Sequence, residues 1–187
     1  MADTDIQKVL DGDADAFRFI VREHKDNAYT LAYSVLKDEA LAQDVVQVAF
    51  IKAYRKLDTF RKESSFSTWF FRIVINEAFN KKTREKKKPE ALEMLSSDEF
   101  RVEEIDTVFA KMELMDQQHY INEALMRLPA DYSLALRLFY LNEFSLNEIT
   151  QITGWTNANT RVLLYRARKE LKQVMTGLLH IHKENLY

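Results

Sequence analysis

Between Thr59 and Asn80 the chain reads TFRKESSFSTWFFRIVINEAFN. The rings of Phe60, Phe66, Trp69, Phe70, Phe71 and Phe79 alternate there with Arg61, Lys62 and Arg72 and with the hydroxyls of Ser64, Ser65, Ser67 and Thr68. This is the equipment for holding a single nucleic-acid strand, because unpaired bases stack on rings while cations hold phosphates. Taking a base out of a duplex costs a few kcal/mol, so a pocket that receives it is needed. Rings at this density are not expected to share one core. Phe66 and Phe70 are read as core, and the loop Arg61–Thr68 as the contacting part.

A second constellation lies between residues 145 and 172. Ser145-Leu-Asn-Glu148 places serine and glutamate at the spacing of a capping box, with Phe144 and Ile149 at the two positions of a hydrophobic staple. The short helix this opens stops at Gly154, the residue best suited to a left-handed C-terminal cap. Thr156 can cap a new helix whose inner face carries Thr160, Leu164, Ala167, Leu171 and Met175. Its outward positions are Asn157, Asn159, Arg161, Tyr165, Arg166, Arg168, Lys169 and Lys172. A short helix, a glycine turn and a longer polar-faced helix form the helix-turn-helix layout, whose second helix enters the major groove. Forked Asn and Arg donors match base edges there, and Lys and Arg neutralise phosphates. The alternative is a helical hairpin with a solvated basic face.

A third feature is an excess of apolar residues. Ala42, Val46, Ala49, Phe50, Ala53 and Leu57 form one core stripe along a helix expected over 38–57. Val45, Val48, Ile51 and Tyr54 fall outside it, beside Asp44 and Gln47. Apolar groups ringed by polar ones point to a protein interface, unless neighbouring helices cover them.

Motifs for catalysis are lacking. There is no glycine-rich phosphate loop, no G-x-S-x-G turn and no cysteine, so nucleophilic and thiolate-metal chemistry have no candidate. His180 and His182, two apart, would diverge on a helix, and neither a metal nor a cofactor is expected.

The elements that must position these groups are helices. Three glycines and two prolines in 187 residues leave few breaks, which argues for all-α structure. A first module spans 1–88. In it Asp13 and Asp15 open a helix with Phe17, Ile20, Val21, His24, Ala28, Leu31, Ala32 and Val35 at helical period. A third helix starts near Ser67 and carries Phe70, Ile73, Val74 and Ala78 before the basic run KKTREKKK and Pro89, where helix geometry must stop. Residues 89–115 form an acidic linker, with helical character returning by about Asp106. The last module, 116–187, begins another helix at Pro129. Net charge is −3 over 1–60, +6 over 61–88, −7 over 89–118 and +2 over 119–187. It is this local field, not the total of −2, that a phosphate backbone meets. No run of about 18 apolar residues exists to span a membrane. The acidic start MADTDIQKVLDGDADAF lacks the order of a signal peptide, so a cytoplasmic location is expected, with nucleoid association when the protein is active.

The stretches DGDADAF, LAQDVVQVAFIKAYRKL, FSTWFFRIVINEAFN, LPADYSLALRLFYLNEFSLNEITQITGW and TRVLLYRARKEL, in this order and spacing, resemble the extracytoplasmic-function branch of the sigma-70 family over nearly the whole chain. The resemblance implies two small helical domains joined by the acidic linker, with the helix-turn-helix in the C-terminal one. It implies a sigma factor that binds bacterial RNA polymerase core and promoter DNA and is no enzyme itself. Asp44, Gln47, Phe50, Ile51 and Tyr54 match the motif that docks on the largest polymerase subunit. Arg61, Lys62, Ser64, Ser65, Phe66, Ser67, Thr68, Trp69, Arg72 and Asn76 match the segment that melts and captures the −10 strand. Arg161, Val162, Tyr165 and Arg166, with Asn157, Asn159 and Lys169, match the −35 reading helix. The linker would thread the RNA path of the polymerase. An anti-sigma factor is the further partner implied. Three positions depart from the family: Val48 stands where glutamate is common, Val162 and Leu163 where serine and a cation are usual, and Trp155 where a smaller aliphatic is usual. The competing readings are a regulator that binds DNA without polymerase and a helical adaptor.

Overall fold

A computed structural model describes residues 2–86 and 114–184. The linker, its Pro89 stop and the start of helix near Asp106 lie outside those residues. Helix α1, Ala2–Leu10, was not anticipated. It buries Ile6 against the first module and leads through Gly12, at φ +104°, into a 3-10 turn over Ala14–Ala16. Asp13 caps that turn by accepting from the Ala16 N–H at 3.3 Å, and α2 then runs Phe17–Leu36.

Helix α3, Glu39–Arg55, starts where Asp38 accepts from the Leu41 N–H at 2.8 Å. Helix α4, Phe66–Lys86, starts where Ser65 Oγ accepts from the Thr68 N–H at 3.1 Å. Each cap satisfies an N–H that the first helical turn leaves without a partner. The three helices pack mutually around Leu31 and Val35 of α2, Ala42, Ala49 and Ala53 of α3, and Phe70, Val74 and Ala78 of α4. Alanines at these crossings let the backbones approach while the Phe70 ring fills the centre.

The second module comprises α5 (Leu114–Arg127), α6 (Ala130–Leu136), α7 (Leu146–Thr153) and α8 (Asn157–Glu184). Pro129 occupies the N-cap of α6, which opens into a π turn over Arg137–Leu141. Leu125, Leu128, Ala135, Leu136, Leu164 and Ala167 form its core, and Ala124, Met175 and Leu178 extend it along α5 and α8.

The sequence reading drew these modules as separate beads. The structure packs them together: Leu134, Leu138, Phe144, Ile149 and Ile152 belong to the same apolar cluster as Phe70, Phe71 and Val74. Helix α7 lies on α4 and α6 on α2.

Two cations sit at this seam. Arg137 is buried, donates to Asn122 Oδ1 at 3.2 Å and has no partner for Nε. Lys37 ends α2 in left-handed geometry at φ 58° and donates from Nζ to the Leu125 carbonyl at 3.3 Å. Burial, helped by the charges of Arg137 and Lys82, lowers its pKa to about 8. An ammonium whose folded pKa lies below its unfolded value of 10.5 binds its proton less tightly when folded. Stability from this group therefore rises as pH increases from 8 towards 10.5, by up to about 1.4 kcal/mol per pH unit. Denaturant unfolding across that range should show the slope in the native chain and lose it in Lys37→Met; an equal slope in both would place the charge effect elsewhere.

Candidate nucleic-acid interface and docking face

The helix-turn-helix is built as its local sequence dictates. Ser145 Oγ accepts from the Glu148 N–H at 3.3 Å, and Glu148 Oε2 accepts from Ser145 N at 2.9 Å and Ser145 Oγ at 2.7 Å. These bonds, led by the Ser145 hydroxyl, hold the Glu148 carboxyl below its ordinary pKa against the opposing effect of burial. Gly154, at φ 76°, closes α7 by donating to the Thr150 carbonyl. Thr156 Oγ1 accepts from the Asn159 N–H at 3.1 Å and opens α8. Thr160, Leu164, Ala167 and Met175 are buried and Leu171 packs against the core, as the periodicity required.

The other side of α8 is a continuous exposed face. Arg161, Val162, Tyr165 and Arg166 fall on adjacent turns, with Tyr165 58% exposed and Lys169 half-buried beyond them. Asn159 is exposed, and Asn157 donates to Asn147 Oδ1 at 3.4 Å across the mouth of a groove shared with Ser145 and Arg161. Arg168 departs from the outward set, since it donates to the Tyr140 hydroxyl at 3.0 Å. Leu163 turns inward against the second core, which explains why an apolar residue suits that position. Trp155 is half-buried between the two clusters, packing at the turn.

The basic-aromatic segment is more buried than its composition suggests. Phe66, Phe70 and Phe71 are core, and Phe60, Trp69 and Phe79 are half-buried. The rings coexist by alternating edge and face contacts: Phe60 meets Phe66 at 89°, while Phe66 and Phe70 stack at 7°. Two residues of the predicted strand-binding set are therefore not at the surface. Phe66 packs among His24, Phe60, Trp69 and Phe70. Thr68, 1% exposed, bonds with Ser65 at 2.9 Å and donates to Glu148 Oε1 of α7 at 3.4 Å. Arg61, Lys62, Ser65, Arg72 and Asn76 are exposed, and Ser64, Ser67 and Trp69 are half-buried. Trp69, Arg72 and Asn76 share one face of α4 at spacings of three and four. His24 lies beneath with Nε2 buried and unpartnered, and burial lowers its pKa.

On α3, Asp44, Gln47, Val48, Ile51 and Tyr54 are exposed, the last three at 41%, 46% and 45%. Two expectations need correcting. Val45 is buried, so the core stripe is wider than drawn, because α3 is flanked by both α2 and α4. Phe50 is also buried, stacked on Phe70 at 4.6 Å, and only helps floor a surface groove. That groove is completed by Val21 and Tyr29 of α2, and Phe17 meets the Tyr54 ring edge-on at 5.1 Å. These α2 contributions were missed, since nothing in the α3 sequence names the neighbour beside it.

Two family descriptions match the chain: Sigma-70 region 2 over residues 20–88 and Sigma-70, region 4 over residues 118–171. The ECF RNA polymerase sigma factor SigW of Bacillus subtilis is 32% identical over 184 residues, covering 92% of this chain and 96% of that protein. The ECF RNA polymerase sigma-E factor of Haemophilus influenzae is 28% identical over 180 residues, covering 93% and 95%. The sigma factor RpoE of Bartonella quintana, solved with the anti-sigma factor NepR, shares the fold at a TM-score of 0.63 and 24% identity, over 86% of this chain and 96% of that one. With both regions matched in order and a relative aligned almost end to end, the chain belongs to the extracytoplasmic-function branch of the sigma-70 family.

Proposed function

We propose that this chain directs RNA polymerase to promoters by docking through α3 and contacting the −10 and −35 elements through α4 and α8. The observation that carries the reading is the presence, in one chain, of an exposed apolar face on α3 and an exposed base-reading face on α8. A regulator working alone would have no use for Val48, Ile51 and Tyr54 at the surface, since such residues favour a partner. Arg61, Lys62, Ser64, Ser65, Ser67, Trp69, Arg72 and Asn76 meet the −10 strand, while Phe66 holds the frame beneath Trp69. Asn157, Asn159, Arg161, Val162, Tyr165, Arg166 and Lys169 meet the −35 duplex. The bond-forming chemistry belongs to the polymerase. No helix among the described residues is long and apolar enough to cross a membrane, and the site of action is the cytoplasm. A binding partner of the anti-sigma class is part of the same reading, supported by the solved relatives, which are complexes of that kind.

The direct test is transcription of sheared genomic DNA by bacterial core polymerase with and without the protein. Discrete start sites that need the protein are the expected result. No gain with core, together with specific retardation of DNA by the protein alone, would replace this reading with that of a conventional regulator. On a promoter so identified, Tyr165→Ala should lower transcription about tenfold, the cost of one good groove contact, with unchanged core affinity. Equal loss of both would make α8 a structural element only.

A further inference from the structure

We propose that the free chain is self-inhibited: α7 and the turn before it close over the −10 face and are displaced when polymerase docks. This rests on the reading of residues 61–76 as the −10-binding segment. The geometry points to it in three ways. First, the apolar side chains of α7 are committed to α4. Phe144 meets Phe71 edge-on at 5.9 Å, and Ile149 and Ile152 are fully buried in the cluster that holds Phe70 and Val74. Second, the covered surface is the one a strand would use. Thr68 is sealed beneath Glu148 at 3.4 Å, and Ser65 and Ser67 face Asn142, Glu143 and Phe144 across a narrow gap. Glu148, held ionised by Ser145, puts a negative charge where a phosphate would approach, and Glu143 stands beside the same gap. Third, the closure carries internal costs. Glu143 adopts φ 55°, a conformation that strains any side chain, in the turn that aims Phe144 at Phe71. His24 Nε2, Ser133 Oγ and Arg137 Nε are buried at or near the seam without partners, and opening would return them to water.

The α3 face stays exposed in this closed form. Polymerase can therefore dock on Ile51 and Tyr54 before the −10 face is free, and the further contacts it offers the second module drive opening. Within the chain, strand affinity is reduced by the fraction of molecules that are open.

The absence of cysteine makes the test clean. Spin labels on Arg84→Cys of α4 and Gln151→Cys of α7 should give one narrow distance in the free protein, which lengthens on adding core polymerase. Phe144→Ser and, from the other side of the seam, Phe71→Ser should broaden that distance without core. They should also bind a single-stranded DNA oligonucleotide carrying the −10 region of a mapped promoter roughly tenfold more tightly than the native chain. A distance already broad in the free native protein, or one unchanged by core, overturns the proposal, and these labels require no seam variant to fold. Seam variants that open yet bind the strand no better overturn it too. If the native chain supports promoter-specific transcription in either of those cases, only self-inhibition has failed. If it never does, the proposed function itself has failed.

Discussion

Replacing Ile51 by aspartate and Tyr54 by alanine should weaken binding to core polymerase by about a thousandfold while leaving the fold intact. Both side chains stand on α3 with nearly half their surface open. Burying what remains exposed is worth about 1 kcal/mol for each. The aspartate adds a charge that must be desolvated in the interface, at a cost of roughly 2 kcal/mol or more. Together these approach 4 kcal/mol, close to three decades in Kd. Neither residue belongs to the internal core, so unfolding free energy should shift by less than about 0.5 kcal/mol. Titration of labelled protein with core polymerase, beside a thermal melt of each variant, measures both quantities. A loss below tenfold would place these residues at the rim of the interface and move its centre to the groove between α2 and α3.

The second large effect is on stability. Phe70→Ala should destabilise the protein by about 3–5 kcal/mol, the usual cost of emptying a fully enclosed aromatic site. The ring is 0% exposed and touches Phe50, Phe66, Phe71 and His24. For a chain of this size the melting temperature should fall by roughly 10 °C. Trp69→Ala, one position along and half-buried, should cost clearly less stability but more strand binding. Calorimetry and oligonucleotide binding on the two variants separate a residue that holds the frame from one that is held by it. Equal melting temperatures would mean that neighbouring rings collapse into the space.

The parts of the fold that were legible in the chain are those decided within one or two helical turns. Asp38, Ser145 and Thr156 cap the helices they precede, and Gly154 ends α7, because a cap is a contact between residues three or four apart. The exposed −35 face was legible for the same reason: burying Thr160, Leu164 and Ala167 forces Arg161, Val162, Tyr165 and Arg166 outward. Helix α1 escaped notice because it contributes so little to the core, with Ile6 buried and Val9 only partly so. On α3, the placing of Val45 depended on whether one helix or two lay alongside, since successive residues differ by about 100° around the axis.

Family membership, all-helical class and the identity of the polymerase-facing and DNA-facing helices were thus determined by residue types and their order. Only tertiary structure decided that Phe66 and Thr68 are covered, that Phe17, Val21 and Tyr29 complete the docking face, and that the two modules share a core. Thr68 and Glu148 are 80 residues apart in the chain, and Lys37 and Leu125 are 88 apart. Periodicity shows that a helix has an apolar face but not which distant face it meets. That choice follows from the complementary shapes of assembled surfaces, here Phe144 against Phe71, which no local pattern encodes.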